Sequence, residues 1–102
     1  MLRIRWSPSA SRDLDSIYEY IEQDSLKFAR LVIRRLIEIV DEIPTFPRAG
    51  RILPEVQNPN IRERIYKSYR IVYRIKSDIN EVLNIFHTSM DIQNRTESYS
   101  PQ

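Results

Sequence analysis

The chain has 102 residues, of which 41% are hydrophobic and 29% are charged, values typical of one folded domain and not of a disordered chain. It contains no cysteine, which excludes disulfides, thiolate zinc sites and cysteine nucleophiles. No apolar run approaches the roughly 20 residues of a membrane span. Charges also interrupt the N-terminal stretch MLRIRW, so we expect a cytoplasmic protein with neither a signal peptide nor a membrane segment.

Positive charge is concentrated in one segment of the chain. The net charge is only +2, yet residues 44–76 hold eight Lys or Arg against two Glu. This asymmetry predicts contact with an anionic partner, which could be nucleic acid, phosphate or an acidic protein segment. The alternative is a solvated basic sheet that binds no ligand.

The first predicted elements are a strand and two helices. Residues 2–6 alternate apolar and basic side chains, which predicts a half-buried strand. Ser7 is a good N-cap and Pro8 suits the first helical position, so a helix is predicted over roughly 8–23. A second helix is predicted over roughly 26–43, where Pro44 ends it.

Each predicted helix has one apolar face. In the first helix the face comprises Ala10, Leu14, Ile17, Tyr18 and Ile21. In the second helix it comprises Phe28, Val32, Leu36, Ile39, Val40 and Ile43. The spacing predicts that both helices pack on a common core.

A loop and three strands follow the helices. Residues 44–60 hold four of the six prolines and the only glycine, which predicts a loop. Its apolar residues are expected to pack down onto the domain: Phe46, Ile52, Leu53 and Val56. Strands are predicted at 61–66, 69–75 and 80–88.

The order of elements predicts the fold. The series β-α-α-β-β-β indicates an α+β domain, with a helical hairpin on one face of a mainly antiparallel, twisted, four-stranded sheet. We assign residues 1–88 to this single domain. The remaining residues, 89–102, are predicted to form a polar and loosely held tail.

The register of the hairpin 61–75 decides where its basic residues point. A three-residue loop at 67–69 would place Arg62 opposite Arg74 and Tyr66 opposite Arg70, and would separate an apolar face from a basic one. A two-residue loop would mix the faces. We therefore predict one basic sheet face, and a ligand that relieves its like-charge pair. It would carry Arg62, Arg64, Arg70 and Arg74, with Tyr66 beside them.

His87 is the only histidine and ends the last predicted strand. It could act as a general acid or base, and the alternative is a structural or merely exposed side chain. One histidine and no cysteine do not suit a structural zinc site. With a single glycine there is also no G-x-S-x-G stretch and no glycine-rich phosphate loop, so we expect neither a metal nor a cofactor.

Four stretches of the chain carry a family resemblance: SPSASRDLDSIYEYI, PRAGRILPE, IRERIYKSYRIVYRI and EVLNIFH. Over roughly residues 3–88 they resemble the RelE/ParE family of toxins from bacterial type II toxin–antitoxin systems. The matching positions are Ala10, Asp13, Leu14 and Ile17 in the first helix, Pro47, Gly50 and Arg51 in the loop, Tyr69, Arg70, Ile71 and Tyr73 in a strand, and His87 at the end.

The resemblance implies the compact α+β fold, a plasmid-stabilisation type of function and a cognate antitoxin as partner. A segment of the antitoxin would wrap the helices and the sheet of the toxin. Operator DNA would be contacted only through the toxin–antitoxin complex.

The resemblance leaves two targets open, and with them the question of whether the protein is an enzyme. ParE-like members bind and poison DNA gyrase, whereas RelE-like members cleave mRNA in the ribosome, without metal, by attack of the RNA 2′-hydroxyl. The strand stretches are closer to the ParE-like branch. Thr88-Ser89-Met90, however, stands where that branch often has Gly-Arg-Arg. A third possibility is a non-toxic member that only binds an antitoxin.

For the cleavage alternative, the expected catalytic group is Arg64, Arg70 and His87. Phosphate or nucleic-acid contacts are expected from Arg62, Lys67, Arg74, Tyr66 and Arg51. Arg51 could equally fix the proline-rich loop. Glu63 is a formal candidate base that the predicted register turns toward the apolar face.

Overall fold

The computed structural model describes residues 3–99, and in it two helices pack on a five-stranded sheet. The helices are α1 (Pro8–Glu22) and α2 (Leu26–Glu42). The strands are β1 (Arg3–Trp6), β2 (Arg51–Ile52), β3 (Ile61–Tyr66), β4 (Tyr69–Ile75) and β5 (Ile79–His87). Short 3-10 helices cover Pro47–Ala49 and Gln93–Tyr99. Leu2, which belonged to the first predicted strand, lies outside the described residues.

The sheet order is β1-β5-β4-β3-β2. β1 pairs with β5 in parallel, and the other neighbours are antiparallel. The helical hairpin is the long crossover that joins β1 to the rest of the chain. This arrangement confirms the predicted α+β fold class.

Both helices begin at serine caps, of which Ser7 was predicted from the sequence. Ser7 Oγ accepts a hydrogen bond from the backbone N–H of Ala10 at 3.0 Å, and Ser25 Oγ accepts one from that of Phe28 at 3.1 Å. Each cap stabilises its helix by about 0.5–2 kcal/mol. Within residues 3–99, no helix has the length and apolar character that crossing a membrane requires.

The helices cover one face of the sheet and form the first core with it. Its fully buried members from the helices include Ala10, Ala29, Val32, Leu36 and Val40, and those from the sheet include Ile71, Tyr73 and Val82. The predicted helix faces are confirmed except at Phe28, which is 44% exposed. The small neighbour Ala29 takes the inward position instead.

The opposite face of the sheet forms a second core, which the residues after β5 cover. Leu53, Val72 and Phe86 are buried there beneath Ile92 and Tyr99. The prediction of a loosely held tail is therefore wrong for residues 89–99. The polar composition of this segment concealed two apolar residues that bury themselves against the sheet. Residues 100–102 of the predicted tail lie outside the described part of the chain.

The proline-rich loop contains the strand that the sequence did not predict. Leu53 donates its backbone N–H to the carbonyl oxygen of Ile61 at 2.9 Å, which aligns β2 along the outer edge of β3. Leu53 is fully buried, as expected. Phe46 does not pack down as expected, because its side chain is 70% exposed.

The register of β3 and β4 corrects the predicted hairpin. Tyr66 pairs with Tyr69, Ile65 with Arg70, and Arg62 with Tyr73, so Lys67 and Ser68 form a two-residue loop. Lys67 adopts the left-handed φ of 51° that a glycine would adopt more easily. The three-residue loop was predicted on the assumption that one face of the hairpin is exposed to solvent, but both faces carry buried side chains.

Candidate functional site

The corrected register distributes the predicted basic face over both sides of the sheet. Successive side chains of a strand point to opposite faces. Arg62 and Arg64 therefore share the helix-covered side with Tyr66. Arg70 and Arg74 lie on the other side with Val72. The prediction that the four arginines form one surface is wrong, and so is the like-charge pair of Arg62 and Arg74.

Arg70 lies at the centre of a buried ion-pair network. Its side chain is 9% exposed. Its Nε donates to Glu63 Oε1 at 2.6 Å, while Nη1 and Nη2 donate to the two oxygens of Glu55 at 2.9 and 2.7 Å. These contacts, above all the one with Glu55, raise the pKa of Arg70 above its ordinary value. In turn the Arg70 guanidinium lowers the pKa of Glu55.

Arg51 extends the network from β2. Its Nε donates to Glu63 Oε2 at 2.7 Å, and Nη2 donates to the same oxygen. The Glu63 side chain is fully buried, whereas Arg51 remains 61% exposed. Glu63 thus accepts three guanidinium hydrogen bonds. The residue that the sequence suggested as a candidate base is therefore a buried ion-pair partner.

Glu55 is the member of this network that sequence reasoning missed. It and Glu63 are the only acidic residues between positions 44 and 76. The presence of two carboxylates in such a basic segment could have indicated ion pairs with the arginines, because charged side chains that are buried are paired. The network joins the proline-rich loop to β3 and β4.

Arg62 and Tyr73 hold the proline-rich loop against the helix-covered side. Arg62 Nε donates to the carbonyl oxygen of Pro59 at 2.8 Å, and Nη1 donates to those of Arg48 and Gly50 at 3.1 and 3.0 Å. The hydroxyl of the buried Tyr73 donates to the carbonyl oxygen of Pro47, and burial raises the pKa of Tyr73.

Gly50 allows this close packing of loop and strand. A Cβ at position 50 would lie 2.8 Å from the carbonyl oxygen of Glu63 and would collide with the Tyr73 hydroxyl. The Pro-x-x-Gly-Arg motif is therefore explained by packing at Gly50 and by an ion pair at Arg51.

The remaining predicted residues occupy separate places. Arg64 Nη2 donates to Glu42 Oε1 at 3.2 Å, at the end of α2. Lys67 Nζ lies 5.6 Å from the centroid of the Tyr66 ring, at the hairpin tip. Arg74 donates through Nη2 to the carbonyl oxygen of Tyr99, beneath the C-terminal segment.

His87 is exposed at the end of β5 and stacks edge-on against Tyr69, with ring centroids 5.7 Å apart. Its Nδ1 accepts the backbone N–H of Ser89 at 3.1 Å and lies 2.7 Å from the Ser89 hydroxyl. In the neutral ring this leaves the proton on Nε2. His87 and Tyr69 meet through pairing of their strands.

The structure thus brings some predicted residues together and separates others. Arg51 meets Arg70 through Glu63, Tyr66 meets Lys67, and Arg64 stands apart on the opposite side of the sheet from Arg70. Among residues 3–99, no three His, Cys, Asp or Glu side chains are grouped so that they could hold a metal ion.

Comparison with known proteins gives a consistent set of relatives. A family model described as "ParE toxin of type II toxin-antitoxin system, parDE" matches residues 4–92. The protein named "Putative toxin Y4kP" from Sinorhizobium fredii is 37% identical over 87 residues, which are 83% of this chain and 86% of that protein.

Solved structures share the fold at lower identity. The chromosomal ParDE TA system from P. aeruginosa matches with a TM-score of 0.73 and 22% identity, over 87% of this chain and 98% of that chain. The toxin–antitoxin complex RelBE2 from Mycobacterium tuberculosis matches with a TM-score of 0.62 and 20% identity, over 84% and 96%. These matches agree with the resemblance drawn from the sequence motifs.

Proposed function

Because this chain belongs to the ParE family of toxins of type II toxin–antitoxin systems, we propose that it acts in the cytoplasm by binding DNA gyrase and that a cognate antitoxin neutralises it. The observation that supports binding over RNA cleavage is the dispersal of the predicted catalytic group. Arg64 and Arg70 lie on opposite sides of the sheet. Two carboxylates also occupy the Arg70 guanidinium.

Cleavage without metal needs cations and a proton donor that converge on one phosphate. Arg70 is buried and already neutralised by Glu55 and Glu63, so a phosphate would have to displace two carboxylates to reach it. His87 is exposed, but neither of the two arginines expected beside it is among its side-chain hydrogen-bond partners. A toxin that works by protein–protein contact needs no such convergence.

The outer surface of α2 supports the antitoxin part of the proposal. Phe28 and Leu31 are 44% and 50% exposed, and they line a cleft of about 640 Å³ with Leu26. Apolar side chains on the outside of a helix mark an interaction surface when they are contiguous. We name this the α2 surface, comprising Ser25, Leu26, Lys27, Phe28, Arg30, Leu31 and Arg34.

The charge of the α2 surface indicates the character of the antitoxin segment. Lys27, Arg30 and Arg34 are absent from the ion pairs formed among residues 3–99. Lys27 also stands in the first turn of the helix, where the dipole disfavours a cation. An amphipathic, acidic segment would cover the apolar residues and relieve these charges.

The test is expression of the protein alone, compared with a His87→Ala variant. We expect growth arrest with inhibited DNA supercoiling and accumulated gyrase–DNA cleavage complexes, equally for both proteins, since His87 has no part in a binding mechanism. If mRNA is cut at ribosomal A sites and His87→Ala abolishes the cutting, the ribonuclease alternative is correct. Absence of any growth effect would indicate a member that only binds an antitoxin.

The antitoxin surface has its own test. Phe28→Ser is expected to weaken the antitoxin complex and leave toxicity intact, because the side chain is 44% exposed and has no part in the buried network. Asp15→Ser, another substitution at an exposed position of the helical hairpin, serves as the control. Equal antitoxin affinity for the two variants, measured by isothermal titration, would remove the α2 surface from the proposal.

A further inference from the structure

A second exposed apolar residue lies at the other end of α2. Phe46 follows the helix and is 70% exposed. It borders a cleft of about 550 Å³ lined by Glu42, Thr45, Ala49 and Arg64. This cleft lies between the end of α2 and β3, and Phe28 of the α2 surface lies 14 residues before Glu42, about 21 Å along the helix.

The backbone around Phe46 is held firmly. Arg62 donates to three carbonyl oxygens of the loop, Tyr73 holds Pro47, and Arg48 donates to Pro59 and Asn60. A loop backbone fixed in this way holds Phe46 at one position, so little backbone entropy is lost when a partner covers its side chain. Aromatic side chains, Phe included, are enriched in protein interfaces.

The charged lining of the cleft is the ion pair of Glu42 and Arg64, and two further arginines adjoin it as a rim: Arg48 precedes the lining residue Ala49, and Arg62 lies on the same side of β3 as Arg64. The hydrogen bonds of Arg48 and Arg62 go to carbonyl or amide oxygens, and neither side chain is in an ion pair among residues 3–99. Arg64 shares Glu42 with Arg35. A bound segment with carboxylates around an apolar side chain would complement this rim.

We propose that Phe46 and its cleft form the surface that docks the target, receiving an acidic segment of gyrase with an apolar side chain at its centre. This inference rests on the proposed function and adds the location of target binding. It assigns the two ends of α2 to different partners, with the antitoxin at Phe28 and the target at Phe46.

The experiment measures the affinity of purified DNA gyrase for the wild-type protein and for three variants: Phe46→Ser, Phe46→Leu and Phe28→Ser. We expect Phe46→Ser to weaken binding by about 10-fold or more, the effect of losing an interface anchor. Phe46→Leu keeps an apolar side chain and should retain most of the affinity. Phe28→Ser is the matched control and should bind gyrase as the wild type does.

Circular dichroism and thermal melting should show that the variants fold, because Phe46 is 70% and Phe28 44% exposed and neither belongs to the buried core. Binding by the wild type should also weaken as salt is added, since rim charges act through solvent. If Phe46→Ser binds gyrase as tightly as the wild type, the docking assignment is wrong while the proposed function stands. If Phe46→Ser weakens only the antitoxin complex, the cleft belongs to the antitoxin. If the wild type itself does not bind gyrase, the proposed function fails, and this assignment fails with it.

Discussion

Replacing Arg70 with methionine tests whether this arginine is structural or available to a ligand. The substitution keeps an unbranched apolar stem but removes the guanidinium and its three hydrogen bonds, of 2.6, 2.7 and 2.9 Å. Among residues 3–99, Arg51 is then the one ion-pair partner left to the fully buried carboxylate of Glu63, and Glu55 loses its bidentate partner. We therefore expect a large loss of folding stability.

The size of the loss follows from the burial of the pair. Breaking a buried ion pair by removing one partner costs about 3–5 kcal/mol. Because Arg51 still holds Glu63, we expect the lower end, about 3 kcal/mol, which is a large part of a typical domain stability of about 5–15 kcal/mol. With a urea dependence of about 1–3 kcal/mol per molar, the unfolding midpoint should fall by roughly 1–3 M.

The control is Arg5→Met, which breaks an ion pair with Glu81 in which Arg5 is 57% exposed. It should change stability by about 1 kcal/mol or less. The double variant Glu63→Met with Arg70→Met should lose much less than the sum of the single changes, since two apolar side chains then replace the buried pair. If Arg70→Met proves as harmless as Arg5→Met, the network does not stabilise the fold, and Arg70 would again be a candidate for phosphate binding.

Three further outcomes are expected. Arg70 lowers the pKa of Glu55 in the folded protein. The stability from this pair is therefore present above the ordinary glutamate pKa of 4.5 and is lost as the pH falls through the lower pKa that Glu55 has in the folded state. Glu55→Gln should reduce the loss of stability at acid pH, measured by urea titrations. Burial raises the pKa of Tyr99 in the folded protein. The stability that depends on its neutral hydroxyl is therefore fully present below the ordinary pKa of 10.0 and is lost as the pH rises through the higher pKa of the folded state. Alkaline unfolding of Tyr99→Phe should show a weaker pH dependence. Gly50→Ala should lower stability by about 1–3 kcal/mol through overcrowding, and adding Tyr73→Phe should not restore it, because the Glu63 carbonyl remains too close; a full recovery in thermal melting would contradict this packing.

The placement of the arginines shows where pattern reasoning stopped being sufficient. A basic face was predicted because one register cleanly separates apolar from charged side chains. Separating apolar from charged side chains is a valid criterion only for a hairpin with one solvent-exposed face. Here Ile92 and Tyr99 cover the second side, so both sides need apolar residues. Arg70 then lies inside the protein, where it requires the carboxylates of Glu55 and Glu63.

The tail and the proline-rich loop were also decided by long-range contacts. Local composition identified 44–60 as a loop but could not show that Leu53 would pair with Ile61 as a fifth strand. It described residues 89–102 as polar but could not show that the Tyr99 hydroxyl would donate to Asn84 of β5. Asn84 in turn donates to Asp13 of α1 at 2.9 Å, so this part of the first-helix signature is explained only when three distant segments are seen together.

The sequence by itself determined the two helices, the Ser7 cap, four of the five strands and the family. Each of these depends on neighbours a few residues apart, whose spacing fixes cap chemistry and amphipathic faces. Only the tertiary structure decided the hairpin register, the second core and the pairing of Arg70 with Glu55 and Glu63. These depend on which surfaces other segments cover, and a one-residue change of register moves every side chain of a strand to the other face.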